Sequence, residues 1–302
     1  MRKKVLIFGA TGYLGKYMVE ASIAMGHLTY AYTRPLKLGS AGDEDRKFKT
    51  LQDFKAMGVT IVEGELDDHE KLVGILRQVE IVISTLAAPL YLDQLKIISA
   101  MKESSNIERF IPSEFGNEVD RVTALPPFQA LLNNKKRIRR AIEASGIPHT
   151  FVSGNSMAAY FIHYFFFHVV WNYEEDVANY TIRAATDPRT LNKILICRPL
   201  KNIASQLDVI SSWEKKSGLT LNKVHIPEEV VIKQTQTLPG EISIPMAVLH
   251  NIFIKGEQMN YELKEDDIEA STLYSDYNYT SIDNLLDISL VNPPQVKIAT
   301  FV

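Results

Sequence analysis

Short apolar runs alternate with longer segments of helical period along the first half of the chain. The runs are rich in β-branched and aromatic residues, which is typical of strands. They cover residues 5–8, 29–32, 60–62, 81–84 and 110–111. Helical spacing between them covers residues 13–25, 48–57, 70–77 and 92–101. Because strands that alternate with helices need crossover connections, the pattern predicts a doubly wound, Rossmann-like α/β fold with a parallel sheet.

The pattern changes in the second half. Residues 36–46 have the glycines, serine and charges of a surface loop. A long helix is expected after Pro126-Pro127, because proline is tolerated in a first turn. A further strand is expected at 150–153, after which regular alternation fades. We therefore divide the chain into a sheet domain at 1–155 and a smaller domain at 156–302, part of which returns to the sheet.

Composition narrows the class of protein without naming a chemistry. The 302 residues are 46% hydrophobic and 23% charged, as in a folded globular protein. A net charge of −3 leaves no basic field for nucleic acid. Cys197 is the single cysteine, so neither an internal disulfide nor a cysteine-based metal site is expected. A single cysteine is typical of a reducing compartment, and we expect the protein to be cytoplasmic. The most apolar stretch, 164–171, is far shorter than the ~20 residues of a membrane span.

A glycine-rich turn follows the first predicted strand. Gly9 permits a tight turn, Gly12 lets the backbone approach a pyrophosphate, and Gly15 lets helix and strand pack closely. The helix that follows presents free N–H groups to a phosphate. Since the turn lies between a predicted strand and a predicted helix, it indicates nucleotide binding rather than an ordinary turn. The domain at 1–155 is therefore expected to bind the cofactor, and the domain at 156–302 mainly the substrate.

The residues after the second strand indicate which dinucleotide is bound. An NAD site usually places Asp or Glu there, to accept a hydrogen bond from the ribose 2′-hydroxyl. This chain has Arg34 instead, with Lys37 beyond it. A guanidinium can pair with a 2′-phosphate. The sequence therefore favours NADPH, against the alternative that both cations are merely solvated.

The spacing G-x-x-G-x-x-G at 9–15 resembles that of short-chain dehydrogenases, most of which carry a catalytic Tyr-x-x-x-Lys pair. That pair is missing from this chain. No tyrosine of the chain is followed by lysine four positions later. Lys135, on the predicted long helix, is the best candidate for a general acid or base. From its basic surroundings alone, however, a solvated helix face is the favoured interpretation.

Several motifs together resemble a known family. They are GATGYLG at 9–15, VISTLA at 82–87, RFIPSEFG at 109–116 and Lys135 followed by IRRAI at 138–142. On these motifs the chain resembles the plant isoflavone-reductase-like group of NmrA-type atypical short-chain dehydrogenases. The segments YLDQ at 91–94, GNEVDR at 116–121 and LPPF at 125–128 further resemble the phenylpropene synthases of this group, which make eugenol or isoeugenol.

The resemblance implies roles for individual residues, and it implies that Lys135 is the general acid/base after all. Residues on the NADPH phosphates would be Gly9, Thr11, Gly12, Tyr13, Leu14, Gly15, Arg34 and Lys37. Residues flanking the rest of the cofactor would be Thr85, Leu86, Ala87, Ser113, Glu114, Asn155, Ser156 and Met157. Residues around an aromatic substrate would be Tyr91, Tyr160 and Phe161, although the last two lie in an aromatic cluster that core packing would also explain.

The implied reaction is the reduction of a coniferyl ester, such as coniferyl acetate, to eugenol or isoeugenol. A benzylic ether or lignan reductase and a non-catalytic NADP(H)-binding sensor are the alternatives. The carbon that receives the hydride, the preferred ester and the oligomeric state stay open at this stage. So does the short connection near 168–169, where the family resemblance implies a longer hairpin.

Overall fold

The computed structural model describes residues 1–36, 43–161 and 169–294. The strands are β1 Lys4–Phe8, β2 Leu28–Thr33, β3 Thr60–Glu63, β4 Ile81–Ser84, β5 Arg109–Ile111, β6 Thr150–Ser153, β7 Ser156–Met157, β8 Val169–Asn172, β9 Lys193–Ile196, β10 Ile203–Ala204 and β11 Ile268–Glu269. The α-helices are α1 Tyr13–Ala24, α2 Asp43–Ala56, α3 His69–Leu76, α4 Gln94–Lys102, α5 Pro126–Ser145, α6 Ala158–Phe161, α7 Glu174–Thr186, α8 Gln206–Ser217, α9 Glu228–Thr237, α10 Gly240–Leu249, α11 Ala270–Leu273 and α12 Ile282–Val291.

A five-stranded sheet organises the first part of the chain. Its order is β3-β2-β1-β4-β5, and every neighbouring pair is parallel. The central strand β1 buries Leu6 and Ile7 completely, as β4 does Ile83. These apolar runs are buried on both faces because helices cover a parallel sheet on both sides. The prediction of a Rossmann-like α/β fold is confirmed.

The chain forms two compact units, each assembled from separate stretches. Unit 1 contains Met1–Ser113, Arg137–Phe151 and Ala178–Lys193. Unit 2 contains Glu114–Lys136, Val152–Val177 and Ile194–Val302. These stretches alternate along the chain, whereas the sequence analysis divided it once, at residue 155. The assignment of cofactor binding to the first domain and substrate binding to the second stays a prediction.

Unit 1 buries a cation at the start of β5. The Arg109 guanidinium donates to the Thr150 and Thr190 hydroxyls at 2.7 and 2.8 Å, and to the Ala184 carbonyl at 3.1 Å. A buried charge needs such partners to offset its desolvation. Arg109 therefore ties β5 to β6 and to the end of α7.

Unit 2 has its own apolar core, which includes Trp171 of the sheet β10-β8-β7; the third sheet has the order β11-β9-β6. The side chain of Trp171 is fully buried in it, and the indole nitrogen donates to the Ala204 carbonyl at 3.1 Å. Its neighbours in the cluster come from the region around α10 and from α12; they include Ile244, Val248, Ile252, Phe253, Leu285 and Leu286.

Two local predictions need correction. The loop expected at 36–46 ends early, since α2 begins at Asp43; acidic residues at 44 and 45 favour the positive end of a helix dipole. The helix expected from residue 92 begins at Gln94, after a 3₁₀ turn at Ala88–Asp93 that has proline in its first turn. In the described part of the chain no helix is long and apolar enough to cross a membrane.

Candidate active site

The glycine-rich turn joins β1 to α1 as predicted. Gly9 has a φ of +74°, a left-handed conformation that favours glycine. Gly12 is the exposed N-cap of α1, and no side chain caps the helix there. A helix N-terminus without a side-chain cap is the usual arrangement at a phosphate site.

Gly15 serves the packing of this turn rather than its surface. A Cβ on Gly15 would lie 2.1 Å from the Gly9 carbonyl oxygen and 2.8 Å from Ala10 Cα. A Cβ on Gly12 would meet only the Gly9 carbonyl oxygen, at 3.0 Å. Glycine is thus needed at 15 for the fold, whereas at 12 it leaves open space above the helix N-terminus.

Thr85 brings the end of β4 against the same turn. Its hydroxyl and its backbone N–H both donate to the Phe8 carbonyl at 2.9 Å. A Cβ on Gly9 would lie 2.8 Å from the Thr85 carbonyl oxygen. Between β1 and β4 the strand order reverses, and open α/β sheets bind ligands outside the carboxyl ends of strands at such a point. Leu86 and Ala87 continue the chain along this edge.

The strands on either side of this pair contribute the next predicted residues. Arg34 follows β2 directly and is exposed. Lys37 lies outside the described residues. Ser113 follows β5, and its hydroxyl donates to the Leu86 carbonyl at 2.8 Å, while its N–H donates to the Gln94 side chain at 2.8 Å. Within unit 1, therefore, residues predicted for the cofactor come together at one edge of the sheet.

Lys135 lies in the first half of α5 and is half-buried. Its Nζ donates to the Glu114 carbonyl at 2.6 Å. Glu114 itself is buried, and the next residue, Phe115, has a φ of +41°, which is rare for a residue other than glycine. The ammonium is therefore held by a strained turn at 114–116 and does not belong to a freely solvated helix face.

Asn155, Ser156 and Met157 follow β6 and belong to unit 2, as Lys135 does. Asn155 has a φ of +54°; its N–H donates to the Gly116 carbonyl at 3.0 Å and its amide nitrogen to the Cys197 carbonyl at 2.7 Å. Its Oδ1 is buried without a hydrogen-bond partner. A buried acceptor in this state is costly unless a ligand or water donates to it.

A buried polar network, missed by the sequence analysis, holds Ser156. The Gln258 amide nitrogen donates to the Ser156 hydroxyl and to Asn117 Oδ1, both at 2.9 Å. Asn117 in turn donates to Asn251 Oδ1 at 2.5 Å. Residues 141 positions apart cannot be paired from hydrophobic periodicity, so the sequence held no local signal for this network.

The predicted substrate residues are less defined. Tyr91 is half-buried in the 3₁₀ turn before α4. Tyr160 and Phe161 belong to α6, but their side chains lie outside the described part of the structure. Their role stays a prediction. Among residues 1–36, 43–161 and 169–294, no group of three or more His, Cys, Asp or Glu side chains could hold a metal ion.

The geometry of the unit 1 site fits a dinucleotide. A Cβ at Gly12 would fill the space that a pyrophosphate needs, and an arginine stands where an NAD site carries an acid. Fold and site together define a Rossmann-like dinucleotide-binding protein.

Comparison with known proteins gives the family. The model of the NmrA-like family matches residues 1–168 and 166–286, and the chain belongs to this family. It is 56% identical to isoeugenol synthase 1 of Petunia hybrida, over 99% of this chain and 97% of that protein. It is 44% identical to the phenylcoumaran benzylic ether reductase Betv6 of Betula pendula, over 94% and 98%.

Solved structures agree with these relatives. Isoflavone reductase superposes with a TM-score of 0.87 at 38% identity, covering 95% of this chain and 99% of that one. The binary complex of leucoanthocyanidin reductase and NADPH from Vitis vinifera gives 0.88 at 32% identity, covering 96% and 100%. The resemblance to isoflavone-reductase-like enzymes is confirmed, and the protein is an oxidoreductase of this group.

Proposed function

We propose that the protein reduces a coniferyl ester, such as coniferyl acetate, to a phenylpropene, with Lys135 as the general acid/base. The observation that carries the proposal is the position of Lys135 Nζ, which is half-buried and 2.6 Å from the Glu114 carbonyl oxygen. A side chain that moves protons must be fixed with respect to its substrate, and this contact fixes it.

NADPH is the cofactor, since a family member of the same fold is solved as a binary complex with it. When bound, NADPH supplies the hydride. The chain's own part is to bind it: the N-terminus of α1 would receive the pyrophosphate, and Arg34 the 2′-phosphate. Thr85, Leu86, Ala87 and Ser113 would line the cofactor at the same edge of the sheet.

Lys135 would act on the phenol of the substrate. As a free amine it takes the proton of the para-hydroxyl group, and the phenolate then expels the ester group as a carboxylate. The resulting quinone methide accepts the hydride, and Lys135 returns its proton to the phenolate. The ester is thereby converted to a phenylpropene and a carboxylate. The similarity to isoeugenol synthase 1 of Petunia hybrida supports isoeugenol, the propenyl isomer, as the product.

The test is turnover of coniferyl acetate with NADPH, with volatile products identified by gas chromatography and mass spectrometry. Lys135→Ala should remove product formation and retain NADPH binding. Lys136→Ala is the matched control, because Lys136 is the adjacent half-buried lysine of the same helix. If wild-type protein binds NADPH but forms no phenylpropene, or if Lys135→Ala keeps full activity, the proposal is wrong.

Benzylic ether reduction is the second candidate. It is supported by the 44% identity to phenylcoumaran benzylic ether reductase Betv6, and it would use the same lysine and cofactor. Reduction of a phenylcoumaran in place of coniferyl acetate would favour it. Binding of NADPH with turnover of neither substrate would instead favour a sensor.

A further inference from the structure

The turn at 114–116 holds Lys135, but its own conformation depends on contacts from outside the turn. Phe115 is in the left-handed region, which costs energy for a residue with a side chain. A backbone in such a conformation persists only where its surroundings over-determine it. The contacts that fix this turn are therefore the contacts that fix the Glu114 carbonyl in front of the Lys135 ammonium.

The carboxyl end of β6 supplies those contacts. The Val152 carbonyl accepts a hydrogen bond from Phe115 N at 3.0 Å. The Gly116 carbonyl accepts two, from the Ser153 hydroxyl at 3.0 Å and from Asn155 N at 3.0 Å. Both sides of Phe115 are thus bonded to one short segment of β6 and its continuation.

Gly154, in the middle of this segment, lets the two backbones approach. A Cβ there would lie 2.9 Å from the Phe115 carbonyl oxygen and 3.0 Å from Met157 Cε. The segment cannot retreat to make room, since Asn172 Nδ2 donates to the Gly154 carbonyl at 2.9 Å and Cys197 N to the Ser153 carbonyl at 2.9 Å. A side chain at 154 would therefore displace the turn.

We infer that Ser153 and Gly154 are positioning residues for Lys135, acting through the turn at 114–116. Neither needs to touch the substrate. Ser153 fixes the Gly116 carbonyl by one hydrogen bond, and Gly154 keeps the Phe115 carbonyl in close contact with β6. This inference rests on the proposed role of Lys135, and its test includes a measurement that needs no turnover.

Two variants perturb the turn in different ways. Ser153→Ala removes the hydroxyl that donates to Gly116, and Gly154→Ala adds the Cβ that collides with Phe115. Their matched controls lie in unit 1. Ser104→Ala removes another buried hydroxyl that donates to a backbone carbonyl, that of Ala100 at 3.3 Å. Gly74→Ala adds a Cβ in α3 that meets no described heavy atom within 4 Å apart from its own helix backbone and chain neighbours.

The first measurement is acetylation by acetic anhydride, with the modification of Lys135 read by mass spectrometry as a ratio to that of Lys136. Nζ must leave the Glu114 carbonyl to attack the anhydride, so a contact that fixes Nζ there slows its acetylation. Ser153→Ala should raise the ratio about fivefold, the equivalent of one neutral hydrogen bond, and Gly154→Ala by at least as much. The second measurement is steady-state kinetics, in which kcat should fall by a similar factor while KM for the ester and NADPH affinity stay unchanged.

The two measurements separate the inference from the proposed function. An unchanged acetylation ratio in Ser153→Ala overturns the positioning role, even if coniferyl acetate is turned over. A raised ratio without wild-type turnover supports the positioning role and leaves only the proposed reaction wrong. A rise in both controls as well would mean that loss of stability, not the turn, exposes Lys135, and would also overturn the inference. If Gly154→Ala does not fold, Ser153→Ala decides alone.

Discussion

Two glycines only three residues apart should respond to alanine in opposite ways. At Gly12 the backbone has φ −74° and ψ 174°, which alanine adopts without strain. Its Cβ would need to move only a few tenths of an ångström from the Gly9 carbonyl oxygen. Alanine also reduces the entropy of the unfolded chain, a gain of about 0.4–1 kcal/mol. Gly12→Ala should therefore leave the free energy of unfolding within about 1 kcal/mol of wild type.

Gly15→Ala should be far more damaging. Its Cβ would lie 2.1 Å from the Gly9 carbonyl oxygen, about 1 Å inside normal contact, and the neighbouring atoms are backbone that cannot rotate away. Relief requires α1 to move off β1, where Met18 and Val19 are buried. Overpacking of this kind costs about 3 kcal/mol or more.

NADPH affinity, in contrast to stability, should be strongly reduced by Gly12→Ala. The methyl group that Gly12→Ala adds would occupy the space through which a pyrophosphate reaches the α1 N-terminus. We therefore expect NADPH affinity to fall about 100-fold or more, ~2.7 kcal/mol. Urea unfolding measures the stability of each variant, and isothermal titration calorimetry measures NADPH affinity. Gly74→Ala serves as the control in both, since outside its own stretch of helix its Cβ meets no described atom within 4 Å.

The result that would refute this reasoning is specific. If Gly12→Ala bound NADPH as tightly as wild type, the pyrophosphate could not be bound at the α1 N-terminus as predicted. A Gly15→Ala protein with wild-type stability would show that the close approach of α1 and β1 is not required.

Three further predictions concern single side chains. Arg34→Glu should weaken NADPH binding by about 10-fold or more and leave NADH binding nearly unchanged, because a charge-assisted bond to the 2′-phosphate is worth ~1.5–3 kcal/mol; equal losses for both cofactors would contradict it. Arg109→Met should destabilise the protein by about 3 kcal/mol in urea unfolding, since it removes the donor from two buried acceptors, the Thr150 and Thr190 hydroxyls. Arg189→Met, at an arginine whose side chain is 60% exposed, should cost ~0.5 kcal/mol or less. Burial raises the pKa of Asp176 from 3.8 to about 6, against the opposing hydrogen bonds of Tyr277 and Thr280. The raised pKa means that the folded state holds this proton more tightly than the unfolded chain, so the stability from Asp176 is present below pH 4 and is lost as pH rises through about 6. At ~1.4 kcal/mol per pKa unit the loss is about 3 kcal/mol relative to Asp176→Asn, and a constant difference between the two proteins from pH 4 to 8 would contradict it.

The sequence by itself determined the parallel sheet and the phosphate-binding turn. Both depend on residues that are neighbours in the chain. The strands form from short runs of β-branched residues, and the turn needs glycines whose spacing is set by backbone sterics between one strand and one helix. For the same reason the absence of an acid after β2 was visible without a structure. Lys135 was found as a candidate, but its basic neighbours favoured a solvated face.

Only the tertiary structure decided what surrounds that lysine. The Glu114 carbonyl lies 21 positions from Lys135 in the chain, and the Ser153 hydroxyl lies 37 from Gly116. The left-handed conformation of Phe115 has no signature in its residue type, and the buried pairing of Asn117 with Gln258 spans 141 positions. Such contacts form because a folded chain satisfies most of its buried polar groups with whichever partner the topology brings near, and that partner is set by packing rather than by sequence proximity.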